Sequence, residues 1–378
     1  MVDKTPAHGP ILTIGIPTWN RSGKLKQLLG NLVAHCPIDA AAKIEVIVSD
    51  NASVDDTEEI VASIAAAATF PIRYRRNDRN LGAVLNVLET LKAARGRYWA
   101  FYGDDDEITC ENLPEILRLL SADAAPLVAV FRGDPCLPPY CFEQREDLTA
   151  AEAAHRLFYY IGNAGRFAVR TKAAQDAFDL LPNRGWSCWP QTEIVFVSLV
   201  LTQETLPVHV EPLVSARIHH RHNTAYTAYH LAETPMLALY RAAARIRPLV
   251  GDEIADAGAA SAMSWEKVRG RLPDIFYYKT LSDLRQDVRA FRRVTTRTLA
   301  AARPGFLRSL AVLWLLAHSP RWLDRLGLWV YLAARFHRGA RIQYGNLAAA
   351  YPRERRLLAA QSPDVLRAHS PRDLDGGC

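Results

Sequence analysis

No Cys-x-x-Cys pair occurs in this 378-residue sequence, whose six cysteines stand apart at positions 36, 110, 136, 141, 188 and 378. Neither a zinc site nor a disulfide framework is therefore indicated, and a reducing cytoplasmic setting is the default expectation. No stretch is long enough to cross a bilayer without meeting a charge or a proline. The opening MVDKTPAHGP is polar and has no apolar core before Ile11, so no signal peptide is expected. Internal repeats and low-complexity tracts are missing, and no nucleic-acid motif accompanies the basic residues. What is present is a globular composition, with 49% hydrophobic residues and 46 Lys+Arg against 40 Asp+Glu, sufficient for one large domain and an extension.

Strand and helix patterns alternate through the first hundred residues. Ile11 to Ile16 is a short apolar run closed by Pro17, which predicts a buried strand opening into the polar loop Pro17-Thr18-Trp19-Asn20-Arg21. Leu25, Leu28, Leu29, Leu32 and Val33 then recur at helical spacing. A second strand, Ile44 to Val48, ends in Ser49-Asp50-Asn51-Ala52-Ser53, and a third, Ile72 to Arg76, leads through Asn77-Asp78-Arg79-Asn80-Leu81-Gly82 into a helix. The fourth delivers Asp104, Asp105 and Asp106 directly after Tyr98-Trp99-Ala100-Phe101-Tyr102-Gly103. This alternation predicts a doubly wound α/β sheet with helices on both faces. Its polar loops would converge on the carboxyl edge, where open parallel sheets bind ligands. Further strands are expected at 127–132, 163–170 and 206–218, with a helix at 189–202 that has Pro190 in its first turn. Residues 133–146, with three prolines, read as a surface loop or lid.

Three adjacent carboxylates repel one another, and holding them at a strand end requires a divalent cation or a set of hydrogen-bond donors. A hard ion such as Mn²⁺ or Mg²⁺ takes oxygen ligands and sits between one or two carboxylates and a diphosphate. An acidic turn leading into a helix near Glu111 is the alternative.

Four features, in this order, resemble the family-2 inverting glycosyltransferases of the GT-A fold: Ile16-Pro17-Thr18-Trp19-Asn20-Arg21, Val48-Ser49-Asp50-Asn51-Ala52-Ser53, Arg79-Asn80-Leu81-Gly82, and the aspartate cluster. The resemblance covers about residues 10–225. It implies a GT-A catalytic domain over residues 1–224, followed by a helical extension over 225–378. It also implies a nucleotide-sugar donor held by Pro17, Thr18, Asn20, Arg21, Asn51, Ser53, Asn80 and Gly82, with Asp50 at the base and Asp104 or Asp105 at the ribose. The metal would be held by Asp106, with Asp104 and His219 as further candidates. Inversion needs a general base within reach of the acceptor hydroxyl. Glu193 in Gln191-Thr192-Glu193 is the expected base and Asp134 the reserve. The segment Arg217-Ile218-His219-His220-Arg221-His222 is similar to an Arg-x-His segment of the family, which assigns Arg217, His220 and His222 to the diphosphate.

Two apolar stretches, Phe306 to Leu316 and Trp322 to Leu332, are each too short to span a bilayer and are flanked by Arg308, Arg321, Arg325, Arg335 and Arg338. With Trp314, Trp322 and Trp329 they fit a helical hairpin lying on an anionic membrane surface, and a helix pair packed on protein is the alternative. The expected whole is a cytoplasmic enzyme, peripheral on the membrane. It would move a sugar to a glycan or lipid-linked acceptor in cell-surface polysaccharide or glycolipid synthesis. A sugar-nucleotidyltransferase is the rival enzyme, although Pro17 to Arg21 lacks a glycine-rich phosphate loop, and a non-catalytic nucleotide-sugar-binding scaffold is the rival without turnover.

Overall fold

The computed structural model of the chain describes residues 9–133, 144–182, 185–202, 208–218, 235–265, 285–320 and 322–324, with residues 268, 272 and 326. The chain divides into two compact units, Met1–His219 with Ala242–Gly258, and His220–Arg241 with Ala259–Cys378. The single boundary expected at residue 224 thus differs from the observed division, which returns Ala242–Gly258 to the first unit.

The first unit is built on an eight-stranded sheet. Its strands are β1 (Leu12–Thr18), β2 (Ile44–Asp50), β3 (Ile72–Arg76), β4 (Tyr98–Phe101), β6 (Val128–Arg132), β7 (Glu146–Leu148), β8 (Phe167–Arg170) and β9 (Val208–Val214), in the order β3-β2-β1-β4-β8-β6-β9-β7. The half from β3 to β4 is parallel throughout. β8 then lies antiparallel to both β4 and β6, whereas β9 runs parallel to β6. Burial on both faces covers β2 along its whole length, including the carboxylates of Glu45 and Asp50.

Alternation along β1 separates the two faces. Leu12, Ile14 and Ile16 join one core cluster with Leu25, Leu28, Leu29 and Leu32 of helix α1 (Ser22–His35). Gly15 faces the other way, where Thr90 of helix α4 (Ala83–Ala93) and Trp99 lie so close that a Cβ on Gly15 would come within 2.5 Å of Thr90 Oγ1. Trp99 stacks on Phe101 and meets the edge of Phe167 on that side.

A buried carboxylate fastens the opposite, amino end of the sheet. Glu45 Oε1 accepts from Thr13 Oγ1 at 2.7 Å and from Arg95 N at 2.7 Å, while Oε2 pairs with Arg73 Nη1 at 3.0 Å. Gly96 N donates to Thr13 Oγ1 at 2.8 Å, and a Cβ on Gly96 would stand 2.6 Å from the backbone nitrogen of Thr13. Backbone cannot yield as a side chain can, so Gly96→Ala should destabilise the fold by about 1–3 kcal/mol. Urea denaturation measures it, and an unchanged midpoint would contradict the close approach.

The sequence-expected strand over residues 206–218 is divided at Ser215. β9 stays in the sheet, and Ser215 N donates to Arg132 O at 3.1 Å before the chain leaves as β10 (Ala216–Ile218). β10 pairs antiparallel with β5 (Asp106–Ile108), a short strand that begins at the last of the three aspartates. Helices α6 (Ala150–Ile161) and α7 (Thr171–Leu180) were not anticipated either, although Thr149 and Glu152 close a capping box at the start of α6. The remaining helices of this unit are α2 (Ile38–Ala41), α3 (Thr57–Ala67), α5 (Leu113–Ser121) and α8 (Pro190–Leu201), which starts at the expected proline.

In the second unit, the Arg285–Ala300 and Leu307–His318 helices run against each other in opposite directions, since Arg292 Nε reaches Ala317 O at 2.9 Å and Trp314 Nε1 reaches Thr296 Oγ1 at 3.0 Å. Phe291, Leu310 and Leu313 are buried there. Among the described residues no helix is long and apolar enough to cross a membrane.

Candidate active site

Parallel register places three strand ends in a row: Thr18 of β1 lies opposite Asp50 of β2, and Asp50 opposite Arg76 of β3. β4 completes the edge by running into Gly103 and the three aspartates. The loops after β1 and β2 hold each other reciprocally. Asn20 N donates to Ser53 Oγ at 2.8 Å, and Val54 N donates to Asn20 Oδ1 at 2.8 Å. Asn20 and Ala52 both adopt left-handed backbone, with φ of 51° and 62°, so strain is concentrated at this edge.

The three aspartates differ in their surroundings. Asp104 is buried and both its oxygens are occupied, Oδ1 by Arg21 Nη1 at 2.7 Å and Oδ2 by Thr18 Oγ1 at 2.9 Å. Burial raises its pKa against the opposing pull of Arg21. Asp105 is half-buried and uses Oδ2 for Lys24 Nζ at 2.9 Å and Arg21 Nη1 at 3.4 Å. Asp106 accepts from Gly103 N through Oδ2 at 2.8 Å, and no described residue donates to its Oδ1. Burial, with Asp105 and Asp104 adding to it, pushes the Asp106 carboxyl up to about 7.

These donors fit a hard divalent cation in one specific way. No group of three or more His, Cys, Asp or Glu forms a complete cage among the described residues. The one carboxylate oxygen of Asp106 that no described residue occupies is what an ion completed largely by phosphate oxygens and water would use. Asp104, also expected at the metal, has both oxygens engaged by Thr18 and Arg21 here. His219, His220 and His222 lie outside the described residues, as does Asp134. Ile218, the residue before His219, is the register partner of Asp106. Arg217 stands exposed, 3.6 Å from Glu107.

Asp50, expected at the nucleotide base, stands at the end of β2 against side chains of β3. It is fully buried, with Tyr74 Oη at 2.7 Å and Arg76 Nη1 at 2.9 Å on Oδ2 and Ser53 N at 3.0 Å on Oδ1. Its role in the structure is to orient Tyr74 and Arg76. Desolvation and the Asp50 carboxylate both raise the Tyr74 phenol.

Asn51 and Asn80, both expected, belong to a larger asparagine network. Asn51 Nδ2 donates to Asn80 Oδ1 at 2.7 Å, and Asn51 Oδ1 accepts from Leu81 N at 2.8 Å and Asn77 Nδ2 at 3.2 Å. Asn86 on α4 accepts from Ser49 Oγ at 2.7 Å and from Asn77 Nδ2 at 2.9 Å, and donates to Ser49 O at 2.9 Å. Asn80 Oδ1 also accepts from Gly82 N at 2.8 Å, and Gly82, with φ of 84°, turns the chain into α4. Pro17 lies inside β1 opposite Ser49. Sequence reasoning missed Lys24, Asn77 and Asn86. Asn86 is buried on α4 among Val87, Leu88, Glu89, Thr90 and Leu91, and a buried amide demands partners.

Glu193, the expected base, is placed differently. Its side chain is 0% exposed and its Oε2 pairs with Arg245, whose guanidinium also lies 4.2 Å from the Trp186 ring. Oε1 accepts from Ser187 N at 2.8 Å. Burial raises the Glu193 carboxyl against the pull of Arg245. A base must touch the acceptor hydroxyl, and both Glu193 oxygens are engaged within the protein here. The structure makes Glu193 the internal partner of Arg245. Arg166 is a further missed residue at this end of the sheet. It is 4% exposed, lies 4.6 Å from the Tyr160 ring, and opposes the rise of Asp106.

Residues 13–162 match the family model described as Glycosyl transferase family 2. Over 114 residues the chain is 35% identical to the abequosyltransferase RfbV of Salmonella typhimurium, covering 30% of this chain and 34% of that protein. Over 126 residues it is 26% identical to an uncharacterized glycosyltransferase of Mycoplasma pneumoniae, covering 33% of this chain and 41% of that one. The chain thus spans well under half the length of these curated relatives. Among solved structures, S. aureus TarS 1–349 in complex with UDP-GlcNAc superposes with a TM-score of 0.56 at 17% identity, over 86% of this chain and 93% of that one.

Proposed function

We propose that the protein, whose residues 13–162 match the Glycosyl transferase family 2 model, is a cation-dependent inverting glycosyltransferase that takes a nucleotide sugar as donor. The observation that carries the reading is the convergence of Thr18, Arg21 and Lys24 on Asp104 and Asp105, with an Asp106 oxygen left to a cation, at the carboxyl edge of the parallel strands. Arg21 and Lys24 supply positive charge for the donor diphosphate, and Arg217 with His220 and His222 extends it. Asp105 takes the ribose. Asp50 serves the base indirectly, through Tyr74 and Arg76, while the asparagine network fixes the β2 and β3 loops that flank it. Mn²⁺ or Mg²⁺, bound through Asp106 with His219 as a further ligand, would stabilise the charge of the departing diphosphate as a Lewis acid. With Glu193 internal, Asp134 is the carboxylate left to take the acceptor proton. Residues 1–224 constitute the catalytic part in this reading, with Ala242–Gly258 added through Arg245. The acceptor is a glycan or lipid-linked sugar of cell-surface polysaccharide or glycolipid synthesis. The second unit would rest on an anionic membrane face, in keeping with Trp322 at 67% and Leu315 at 59% exposure.

A thermal-shift series with UDP- and GDP-sugars and Mn²⁺ tests this reading through binding, and the release of free nucleotide tests turnover. Binding should depend on pH with a definite sign. Burial lifts the Asp106 carboxyl from the ordinary 3.8 to about 7 in the folded protein, so the folded state without cation holds an extra proton between these values and loses stability as pH rises through that window. A cation needs the ionised carboxyl and recovers this loss. The midpoint gain from Mn²⁺ with nucleotide should therefore be larger at about pH 8 than at about pH 6. A gain independent of pH would exclude Asp106 as the ligand.

A further inference from the structure

We propose that Arg166 binds an anionic group, a carboxylate or a phosphate, carried on the sugar side of the reaction by either the transferred sugar or its acceptor. The identity of the molecule that brings the group rests on the transferase reading above, and the anion site itself does not. A charged side chain taken out of water is ordinarily paired, because burial without an opposite charge is costly. Arg21, Arg73 and Arg245 each meet a carboxylate. Arg166 does not: it is 4% exposed, its Nε makes no hydrogen bond, and none of the described carboxylates forms an ion pair with it. Arg132, at the end of the neighbouring strand β6, also buries an Nε without a partner.

The guanidinium is held in place although it lacks an acceptor. Its Cζ stands 4.6 Å from the centre of the Tyr160 ring, and Tyr160 Oη is itself fixed, accepting from Gly133 N at 2.9 Å and donating to Phe131 O at 2.8 Å. A Cβ on Gly133 would come 2.8 Å from Arg166 Cζ, so the glycine makes the room for it. The preceding residue is equally constrained. Gly165, with φ of 67°, donates from N to Phe101 O at 2.8 Å, and a Cβ on it would lie 2.6 Å from Ala216 Cβ. A planar fork preset in this way suits an anion that offers two oxygens.

Position decides which part of a substrate it meets. β8 runs antiparallel beside β4, so Arg166, the residue before its first, lies at the carboxyl edge of the sheet. Along that edge come the ends of β2 and β1, then the aspartates that follow β4, and then Arg166, one strand spacing of about 4.8 Å further from the nucleotide loops. The transferase reading sets base, ribose and diphosphate along the edge in the same order, ending at Asp106. The next group in line is the transferred sugar with its acceptor.

The test uses the full chain and probes that differ by one anionic group. For the donor, UDP-glucuronic acid is titrated against UDP-glucose and GDP-mannuronic acid against GDP-mannose, each with Mn²⁺. For the acceptor, glucuronate and glucose 6-phosphate are compared with glucose by thermal shift, with and without nucleoside diphosphate and Mn²⁺. In one of the two arms the acidic member should bind roughly tenfold tighter than the neutral one, and Arg166→Met should remove that advantage while leaving the affinity for the neutral member unchanged. The arm that responds names the source of the charge. Without ligand, Arg166→Met should melt no lower than the wild type, because it takes an unpaired charge out of the interior. A lower melting temperature would identify a structural arginine and overturn the inference. Equal affinity for acidic and neutral members in both arms overturns it too, and leaves the transferase reading standing if the nucleotide binds with Mn²⁺. An acidic preference that survives Arg166→Met places the anion elsewhere, which is a further way to lose the site. Binding of glucuronate or glucose 6-phosphate that Arg166→Met abolishes, with no nucleotide bound under any condition, keeps the site and removes the transferase reading.

Discussion

Asp106→Asn is expected to lower kcat/KM by about 10³-fold and to abolish cation-dependent nucleotide binding, because it removes the charge proposed to hold the metal. The fold should survive. Asparagine keeps an oxygen to accept from Gly103 N, the 2.8 Å bond that shapes the turn. Since burial penalises the charged form of Asp106, the variant without cation should melt no lower than the wild type at about pH 8. Calorimetric titration of UDP or GDP with and without Mn²⁺ reads the binding. Nucleotide affinity with its Mn²⁺ dependence unchanged would reassign the cation to other ligands.

Glu193→Gln is expected to cost about 3–5 kcal/mol of stability, the range for removing one partner of a buried ion pair. Arg245 is 13% exposed and would keep the Trp186 face but lose its carboxylate. Its charge would then be buried without an opposite one. Glutamine still offers an oxygen to Ser187 N, so the loss should be traceable to the arginine. A double substitution, Glu193→Gln with Arg245→Met, should recover much of the loss, and denaturant melts of the four proteins of the cycle measure the coupling. A catalytic base would behave otherwise. Wild-type stability with turnover lowered by roughly 10²–10⁴ would return Glu193 to the acceptor site.

The parallel half of the sheet was legible because each of its strands is a short apolar run closed by polar punctuation. Periodicity and turn residues carry that information locally, and strands from Ile44 and Ile72 begin where they were expected. What stayed hidden depended on distant pairing. Nothing in Val208 to Ile218 marks Ser215 as a break, because the division arises when Ala216–Ile218 finds Asp106–Ile108 more than a hundred residues earlier. The same applies to individual charges. Glu193 at a helix start looked accessible until Arg245, fifty-two residues on, occupied it. Asp50 stood in the right motif, but its partners Tyr74 and Arg76 come from the next strand, and only register shows that they face it. Asp104 and Arg21 were both expected at the site, yet their direct bond is a fact of geometry.

The strand order bears on how the polypeptide can be dissected. The segment that matches the family ends at residue 162, yet β4 and β6 are joined only through β8, and β6 has β9 as its other neighbour. A chain cut at that point keeps Val128–Arg132 while losing both flanking strands. Two lengths of unpaired backbone, apolar on either face, would then be offered to any other chain in solution, the arrangement that leads to edge-to-edge aggregation. The stretch that heredity marks most plainly is therefore smaller than the stretch that can fold. Soluble expression should begin only when the cut falls beyond β9, at or after Val214.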